Sequence, residues 1–466
     1  MNLFNTKFDT LLIFYSIPAI YCAIGCLIFY IISITEPSPY IDEIFHVGQC
    51  QQYCRGNFFV YDPKLTTPPG LYVLTLLALA PILKIFDLEC SVNTLRSVNV
   101  AASLLLFVLI YRILKVQIYH YSNFKKLWVA LNLCTLPVLY FYSFFYYTDV
   151  VSAVLVLLTF HLYNIDYSHS AGFVGLLSVT IRQTNLVWFF CFASIKCCKN
   201  IENEMYKADK SITEASRRKL SYVWVIVKEC WNLIQRRSVY YFIQLVLKET
   251  YFFIIAVLSF TLLILRNGSL VLGDKSNHTT VIHILQLLYF ALFTAAFSFP
   301  LCISPAFKLL KSYRRYYKLI ILASIFLGVI VAVNTMAHIF LLSDNRHYTF
   351  YIWKRVFEKP LGRYLVIPLY IVSLYCIADN TSHMDAYTKL GYIIATVIVL
   401  VPQKLLEFRY FIVPYLLYRI ETYHRAKWWH LLLEIVFNSI INILTFAFFV
   451  QLPFQWPDGT LQRFSW

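Results

Sequence analysis

Charged residues are scarce in this chain: they make up 14% of its 466 residues, whereas hydrophobic residues make up 59%. A soluble globular protein has about 25% charged residues, so a soluble enzyme of two or three domains is excluded. Glycine and proline are also few, at 12 and 16 residues, which excludes a collagen-like or disordered chain. The composition favours a protein with many membrane-spanning segments, and its 39 Phe and 36 Tyr suit lipid and its interfaces.

Motifs of soluble catalytic sites are also missing. The sequence contains no Walker motif, GxGxxG, HExxH, CxxC or DxD, so we expect no cofactor, no nucleotide and no metal. The 12 cysteines are interpreted as small buried hydrophobic residues. A disulfide or metal pair formed by Cys50 and Cys54 is the lesser alternative.

The net charge of +16 lies between apolar runs rather than on a soluble face. This distribution is typical of cytoplasmic loops under the positive-inside rule and argues against nucleic-acid binding. Residues 194–250 hold 11 Lys and Arg against 6 Asp and Glu, and we expect this basic insert to be cytoplasmic. Alternation of the apolar runs then places residues 34–95 and 343–363 on the far side, with Asn267 and Asn277 as candidate glycosylation sites in another far-side loop.

Asp42 and Glu43 are adjacent carboxylates shortly after the first apolar run. Consecutive residues of a helix point about 100° apart, so one carboxylate can face a cavity while the other takes a structural partner. The functional interpretation is a general base at the membrane boundary, and the alternative is a pair of surface charges. His46 either hydrogen-bonds a polyhydroxylated ligand or belongs to a solvated loop face.

Arg182 lies with Gln183, Thr184 and Asn185 in the middle of an apolar stretch. Four polar residues are unfavourable in lipid, so the stretch predicts a turn between two half-length helices or a site in a cavity. Asp149 ends an aromatic run, and it is interpreted either as a helix N-cap or as a second acid lining the site.

Two further segments combine cations, acids and rings. One contains Asp344, Asn345, Arg346, His347 and Tyr348, and the other contains Glu407 and Arg409. Positive charge on the far side is not explained by topology, and arginine can hold a phosphate with two parallel hydrogen bonds. The alternatives are snorkelling interfacial side chains and a weak surface salt bridge.

Together these segments resemble one family, the endoplasmic-reticulum α-1,2-glucosyltransferases that use dolichyl-phosphate-glucose. The resemblance spans roughly residues 35–430 and rests on the strings PYIDEIFHVGQCQQYCRGNF, FYYTD, IRQTNLVW, SDNRHYTFYIWKR and LEFRYFIVPYLLYR. It implies an all-α polytopic membrane protein with a single multi-pass domain over residues 1–466. The implied architecture is a GT-C-like bundle of about 11–13 transmembrane helices with luminal juxtamembrane helices.

The resemblance also implies a reaction at the luminal face of the endoplasmic-reticulum membrane. Glucose would pass from dolichyl-phosphate-glucose to the diglucosylated dolichyl-pyrophosphate oligosaccharide by one inverting displacement. Asp42 or Glu43 would be the base, with Asp42 preferred. Arg346, His347, Arg409 and Arg182 would stabilise the leaving phosphate; the expected substrate contacts are His46, Asp149, Asp344, Asn345, Tyr348 and Glu407. The alternatives are a sibling transferase for mannose or an earlier glucose, and a non-catalytic transporter or partner protein.

Overall fold

Helices make up nearly all of the regular structure in the computed structural model, which describes residues 2–117, 122–208, 213–269, 271–275 and 280–466. The first half contains α1 (Asn2–Thr35), α2 (Glu43–Cys54), α3 (Gly70–Phe86), α4 (Val92–Gln117), α5 (Asn123–Cys134), α6 (Pro137–Tyr142), α7 (Thr148–Asn164), α8 (Ser168–Ile181), α9 (Asn185–Ala208), α10 (Glu214–Arg217) and α11 (Ser221–Arg236).

The second half contains α12 (Val239–Asn267), α13 (Leu285–Phe297), α14 (Phe299–Lys311), α15 (Tyr313–Asn334), α16 (Ile339–Ser343), α17 (Tyr348–Ile352), α18 (Pro360–Leu365), α19 (Ile367–Asn380), α20 (Ala386–Leu400), α21 (Ile412–Thr422) and α22 (Trp428–Gln451). A π-helix covers Trp353–Phe357, and 3-10 helices cover Phe408–Phe411 and Tyr423–Arg425. In the described residues the one sheet is a hairpin of β1 (Phe454–Gln455) and β2 (Leu461–Gln462).

The helices confirm the predicted all-α polytopic membrane protein. Six of them are long and apolar enough to cross a membrane, and the pair α13 and α14, bent by 107°, makes a seventh span if both cross together. Four shorter apolar helices, α3, α7, α8 and α20, pack among them. The count of about 11–13 transmembrane helices stays a prediction.

The break between α8 and α9 confirms the turn predicted around Arg182. The amide of Asn185 stabilises it by donating to the carbonyl oxygen of Ser178 at 2.8 Å and to the hydroxyl of Ser152 at 2.8 Å. Backbone without helical hydrogen bonds is tolerated at membrane depth only where side chains satisfy it. The four polar residues therefore interrupt the apolar stretch, and one of them, Asn185, hydrogen-bonds to the backbone carbonyl of Ser178 beside the break.

Residues between α6 and α7 carry the aromatic run, and they are held by one buried amide. Asn99 on α4 donates to the carbonyl oxygens of Phe145 at 2.6 Å and Tyr147 at 2.9 Å. The rings pack against α22, where the ring centroids of Phe145 and Phe449 are 5.5 Å apart. This packing fixes the start of α7, and therefore the position of Asp149 in its first turn.

The helix α7 separates two polar clusters of the protein. Asp149 at its first turn contacts Arg182, whereas Asn164 at its last residue lies 3.4 Å from the ammonium of Lys199 in the basic insert. Asn164 follows Asp149 by 15 positions, so the two are roughly 22 Å apart along the helix axis at 1.5 Å per residue. The Asp149 cluster and the basic insert therefore lie at opposite ends of the helix.

The loop before α4 is joined to α2 by a disulfide between Cys54 and Cys90. The interpretation of all the cysteines as small buried hydrophobic residues is wrong for Cys54 and Cys90. The alternative that paired Cys54 with Cys50 is wrong about the partner, because Cys50 is a buried free thiol that accepts a hydrogen bond from Tyr146 at 3.3 Å. Cys50 and Cys54 are four residues apart on one helix, whereas the chain returns to α2 at Cys90.

Removing this disulfide should destabilise the protein. The bond closes a loop with a sequence separation of 36 residues, and the loop-closure relation gives about 4 kcal/mol for that length. We expect Cys54→Ser combined with Cys90→Ser to lower the thermal unfolding midpoint in detergent, and reductant to lower that of the wild type but not of the variant. Cys50→Ser is the matched control, and a drop as large in Cys50→Ser would contradict the pairing.

Candidate active site

The chain enters the site through an unusual backbone conformation immediately before Asp42. Ile41 has a φ of 54°, in the left-handed region that β-branched residues rarely adopt. Asp42 follows as the N-cap residue of α2, without a side-chain capping bond. This turn leaves the Asp42 carboxylate free to point away from its own helix.

Glu43, the next residue, is fully buried and its carboxylate is saturated. Arg96 on α4 donates to both of its oxygens, at 2.9 and 2.7 Å, and the backbone N–H groups of Tyr40 and Tyr146 donate at 2.9 and 2.7 Å. Arg96 is itself fully buried and also donates to the carbonyl oxygens of Glu36 and Ser38. Glu43 therefore ties three segments together and has no oxygen left for a substrate.

Asp42 is placed differently, because its side chain is 48% exposed. Its nearest cation is Arg409, whose NH2 group lies 3.2 Å from Oδ2. The Arg409 guanidinium also pairs with Glu407 and lies 5.1 Å from the ring centroids of both Tyr142 and Tyr147. The contact with Arg409 holds the Asp42 carboxylate in place while leaving about half of it accessible.

Asp149 links the two arginines of the site. One of its oxygens accepts from Arg182 at 2.6 Å, and the other lies 3.7 Å from Arg409 without a hydrogen bond. The Asp149 side chain is fully buried, so its charge is effective at holding both cations near each other. Two guanidinium groups that would otherwise repel are thereby kept side by side.

Arg182 and Arg409 both line a cavity of about 400 Å³. Its walls are largely apolar and include Trp188, Val399 and Val413, and Lys404 adds a third cation. Among the described residues no carboxylate lies within ion-pair distance of the Lys404 ammonium. The cavity thus combines largely apolar walls with three cationic side chains.

The loop before α3 forms one side of this cavity. Thr66 and Thr67 line it, and Gln183 donates to the carbonyl oxygen of Thr66 at 2.6 Å. The start of α3 also lies close to the end of α8. It begins at Gly70, where a Cβ would overlap the carbonyl oxygen of Thr180. The paired prolines that follow Thr67 fix the chain direction into this contact.

The segment around Arg346 forms a second, separately neutralised group. Arg346 donates to Asp344 through Nε at 2.8 Å and NH2 at 2.7 Å, and to the side chain of Gln462 through NH1 at 3.2 Å. His347 lies 3.6 Å from the same carboxylate. The Arg346 charge is thus matched by Asp344, whereas Arg182 keeps donors that face the cavity.

Three remaining predicted residues differ in their surroundings. Burial lowers the pKa of His46 to about 4, so its ring is neutral near pH 7, and its Nδ1 lies 2.8 Å from the hydroxyl of Tyr72. Asn345 accepts a hydrogen bond from the indole of Trp456 at 2.8 Å. Tyr348 packs its ring 5.2 Å from that of Trp466; all three stay predictions as substrate contacts.

The glycosylation candidates lie away from this site. Asn267 is the last residue of α12, and its amide donates to the carbonyl oxygens of Ser269 and Val271 at 3.3 and 2.6 Å. Asn277 lies outside the described residues. The use of either sequon stays a prediction.

The structure brings Asp42, Asp149, Arg182, Glu407 and Arg409 into one cluster. Sequence interpretation missed three contributors to it. They are Arg96, Lys404 and the C-terminal segment, and none of them belongs to a motif that the sequence singles out. Lys404 could have been noticed, since it is a cation close to Arg409 between two apolar runs.

The different burial of the two adjacent carboxylates generates a stability prediction. Glu43→Gln leaves the buried Arg96 without its counter-charge, and breaking a buried pair in this way costs about 3–5 kcal/mol. Asp42→Asn removes a half-exposed charge and should change stability by less than about 1 kcal/mol. Thermal unfolding of the purified variants in one detergent compares them, and equal midpoints would contradict the structural role of Glu43.

Comparison with known proteins gives one family. A sequence profile of the DIE2/ALG10 family matches residues 36–420. A human protein named Dol-P-Glc:Glc(2)Man(9)GlcNAc(2)-PP-Dol alpha-1,2-glucosyltransferase is 34% identical, covering 97% of this chain and 99% of its own length. Proteins of the same name from Drosophila melanogaster and Arabidopsis thaliana are 34% and 33% identical, covering 91% and 92% of this chain and 93% and 95% of their own lengths. No solved structure matches. The chain belongs to the DIE2/ALG10 family.

Proposed function

We propose that this protein transfers glucose from dolichyl-phosphate-glucose to the terminal glucose of the diglucosylated dolichyl-pyrophosphate oligosaccharide, forming an α-1,2 linkage. The names of its relatives specify this acceptor and linkage. The observation that carries the proposal is the placement of a half-exposed carboxylate, Asp42, 3.2 Å from Arg409, which lines an apolar cavity together with Arg182.

Asp42 is the general base in this proposal. Its free oxygen accepts the proton of the acceptor hydroxyl while the hydroxyl oxygen attacks the anomeric carbon of glucose. The contact with Arg409 fixes the carboxylate orientation. Glu43 is assigned a positioning role instead, because all of its lone-pair directions are taken by Arg96 and two backbone donors.

The leaving group is the dolichyl phosphate. As the new glycosidic bond forms, the bond between the anomeric carbon and the phosphate oxygen breaks, and its electrons pass to the phosphate. The Arg182 and Arg409 guanidinium groups and the Lys404 ammonium line the cavity and would stabilise this developing charge. The apolar walls suit the isoprenoid chain, and a single displacement inverts a β-linked donor to an α product.

The proposed reaction needs no group from Arg346 or His347. Asp42 supplies the base, and Arg182, Arg409 and Lys404 supply the cations. Arg346 is already matched by Asp344 in a bidentate contact. We assign these residues, with Asn345 and Tyr348, to the shape of the acceptor side of the site. The donor phosphate is assigned to Arg182, Arg409 and Lys404.

We place the site on the luminal side of the endoplasmic-reticulum membrane and the insert of residues 194–250 in the cytoplasm. The disulfide in the loop of residues 34–95 supports this placement, because such bonds persist in oxidising compartments. The basic excess of the insert supports it as well. The two lie at opposite ends of α7, so one orientation satisfies both.

Replacing Asp42 should abolish transfer without unfolding the protein. Reconstituted enzyme would receive labelled dolichyl-phosphate-glucose and the diglucosylated lipid-linked acceptor, with a chelator present. Losing a general base typically lowers the rate 10²–10⁴-fold, and we expect that loss in Asp42→Asn. The control is Asp458→Asn, an exposed acid of the C-terminal hairpin turn. Wild-type activity in Asp42→Asn would contradict the base assignment, and transfer of mannose alone would favour a sibling transferase.

Lys404 should contribute to donor binding through its charge. Lys404→Met keeps the length of the side chain and removes the cation from the cavity. We expect about a tenfold rise in the KM for dolichyl-phosphate-glucose, since a hydrogen bond to a charged group is worth about 1.5–3 kcal/mol, with the KM for the acceptor unchanged. A rise confined to the acceptor KM would contradict the donor assignment. Lys427→Met, the N-cap residue of α22, is the matched control.

A further inference from the structure

The C-terminal segment, residues 452–466, folds back onto the candidate site. It leaves α22, forms the β1–β2 hairpin through a turn with Gly459 at a φ of 82°, and then runs beside the Arg346 segment. The backbone N–H of Ser465 donates to the carbonyl oxygen of Arg346 at 2.9 Å, and that of Tyr348 donates to the carbonyl oxygen of Ser465 at 3.1 Å. The segment therefore forms a single parallel bridge between Ser465 and His347 at the edge of the site.

Arg463 anchors this segment to the first loop. Its side chain is buried and donates to Glu36 Oε2 at 3.1 Å, to the carbonyl oxygen of Thr35 at 3.2 Å and to that of Phe449 at 2.8 Å. Its backbone N–H also donates to the hydroxyl of Tyr40 at 3.2 Å. The anchor thus joins the segment to the end of α1, to the end of α22 and to the loop that carries Asp42.

Trp466 joins both halves of the site. Its main-chain oxygen accepts a hydrogen bond from the hydroxyl of Tyr142 at 2.7 Å and lies 2.7 Å from Nδ1 of His347. Tyr142 in turn offers its ring to Arg409, the cation that contacts Asp42. Two residues, Tyr142 and Arg409, therefore link the Trp466 backbone to the Asp42 carboxylate through three contacts.

The Trp466 indole is held by ring contacts alone. Its ring lies 6.0 Å from that of Phe408 and 6.2 Å from that of Phe297. The indole N–H is buried and has no hydrogen-bond partner among the described residues. Because no hydrogen bond depends on the indole, phenylalanine at this position should keep most of the contacts.

We infer that Trp466 is a positioning residue for the transfer reaction, acting through Tyr142 on Arg409 and through its backbone on His347. The inference rests on the proposed function, because its kinetic readout is glucose transfer. Neither Trp466 nor its partners Tyr142 and His347 line the donor cavity, and no other residue of the segment does. The segment therefore affects mainly the rate of the chemical step, through the Arg409 contact with Asp42, because Arg182 and Lys404 still hold the donor phosphate.

The kinetic test compares Trp466→Ala, Trp466→Phe and Tyr142→Phe, each normalised to folded protein measured by size-exclusion chromatography. Misplacement of a catalytic group lowers the rate steeply, so we expect Trp466→Ala and Tyr142→Phe to lower kcat about tenfold with the donor KM within about twofold of the wild type. Trp466→Phe should restore most of kcat. Gln455→Ala, an exposed position of the same hairpin, is the matched control.

Three kinetic outcomes would overturn the inference. They are a kcat for Trp466→Ala equal to that of Gln455→Ala, a raised donor KM at unchanged kcat, and a Trp466→Phe variant as slow as Trp466→Ala. Tyr142→Phe decides the case if Trp466→Ala does not fold, since it removes one hydroxyl and keeps the ring. A wild type that transfers no glucose would refute the proposed function instead.

Hydrogen–deuterium exchange supplies a readout that needs no activity. The backbone N–H of Tyr348 is protected by Ser465, so peptides covering residues 343–351 should exchange faster in Trp466→Ala and not in Gln455→Ala. Unchanged exchange in a folded Trp466→Ala would show that Trp466 does not order this loop and would contradict the inference, whatever the transfer assay gives.

Discussion

The buried ion pair of Glu43 and Arg96 is the interaction on which the candidate site depends. It satisfies backbone donors on both the loop before α2 and the aromatic run before α7, and the same arginine binds carbonyl oxygens near the end of α1. Burying two charges is unfavourable unless geometry and further hydrogen bonds compensate, and here both partners are saturated. The neighbouring residue, Asp42, can then point into the site because Glu43 holds the helix start in place.

A second charge arrangement follows from that placement. Asp149 keeps Arg182 and Arg409 near each other, and Arg409 keeps Asp42 in one orientation. A site arranged in this way has its dipoles and charges in position before the substrate arrives, so little reorganisation is needed when charge moves to the leaving phosphate. The aromatic rings of Tyr142 and Tyr147 fix the Arg409 guanidinium from the other side.

The sequence allowed the membrane class, the break at Arg182 and most members of the charged cluster to be predicted, because each leaves a local signal. Low charge and apolar runs indicate membrane helices, and four polar residues in an apolar stretch indicate a break. Helical geometry predicts that one of Asp42 and Glu43 faces a cavity while the other takes a structural partner. Which of the two carboxylates is buried depends on Arg96, which is distant in sequence. The Cys54–Cys90 bond and the approach of Trp466 to Tyr142 are likewise long-range contacts without a local signal.

Under the proposed function, two lipid-borne substrates must reach one carboxylate, Asp42. The cavity that holds Arg182 and Lys404 has apolar walls suited to an isoprenoid chain, so under the proposed function the donor approaches Arg409 from that side. No residue of the Asp344–Tyr348 loop or the C-terminal segment lines that cavity, and the loop carries Arg346, which is paired with Asp344. A neutral, hydrogen-bonding surface suits an uncharged glycan better than a cationic one, because a sugar hydroxyl offers no charge to match. Under the proposed function the cavity therefore receives the charged donor and the Asp344–Tyr348 loop receives the uncharged acceptor. Arg409, which lines the cavity and contacts Asp42, connects the two.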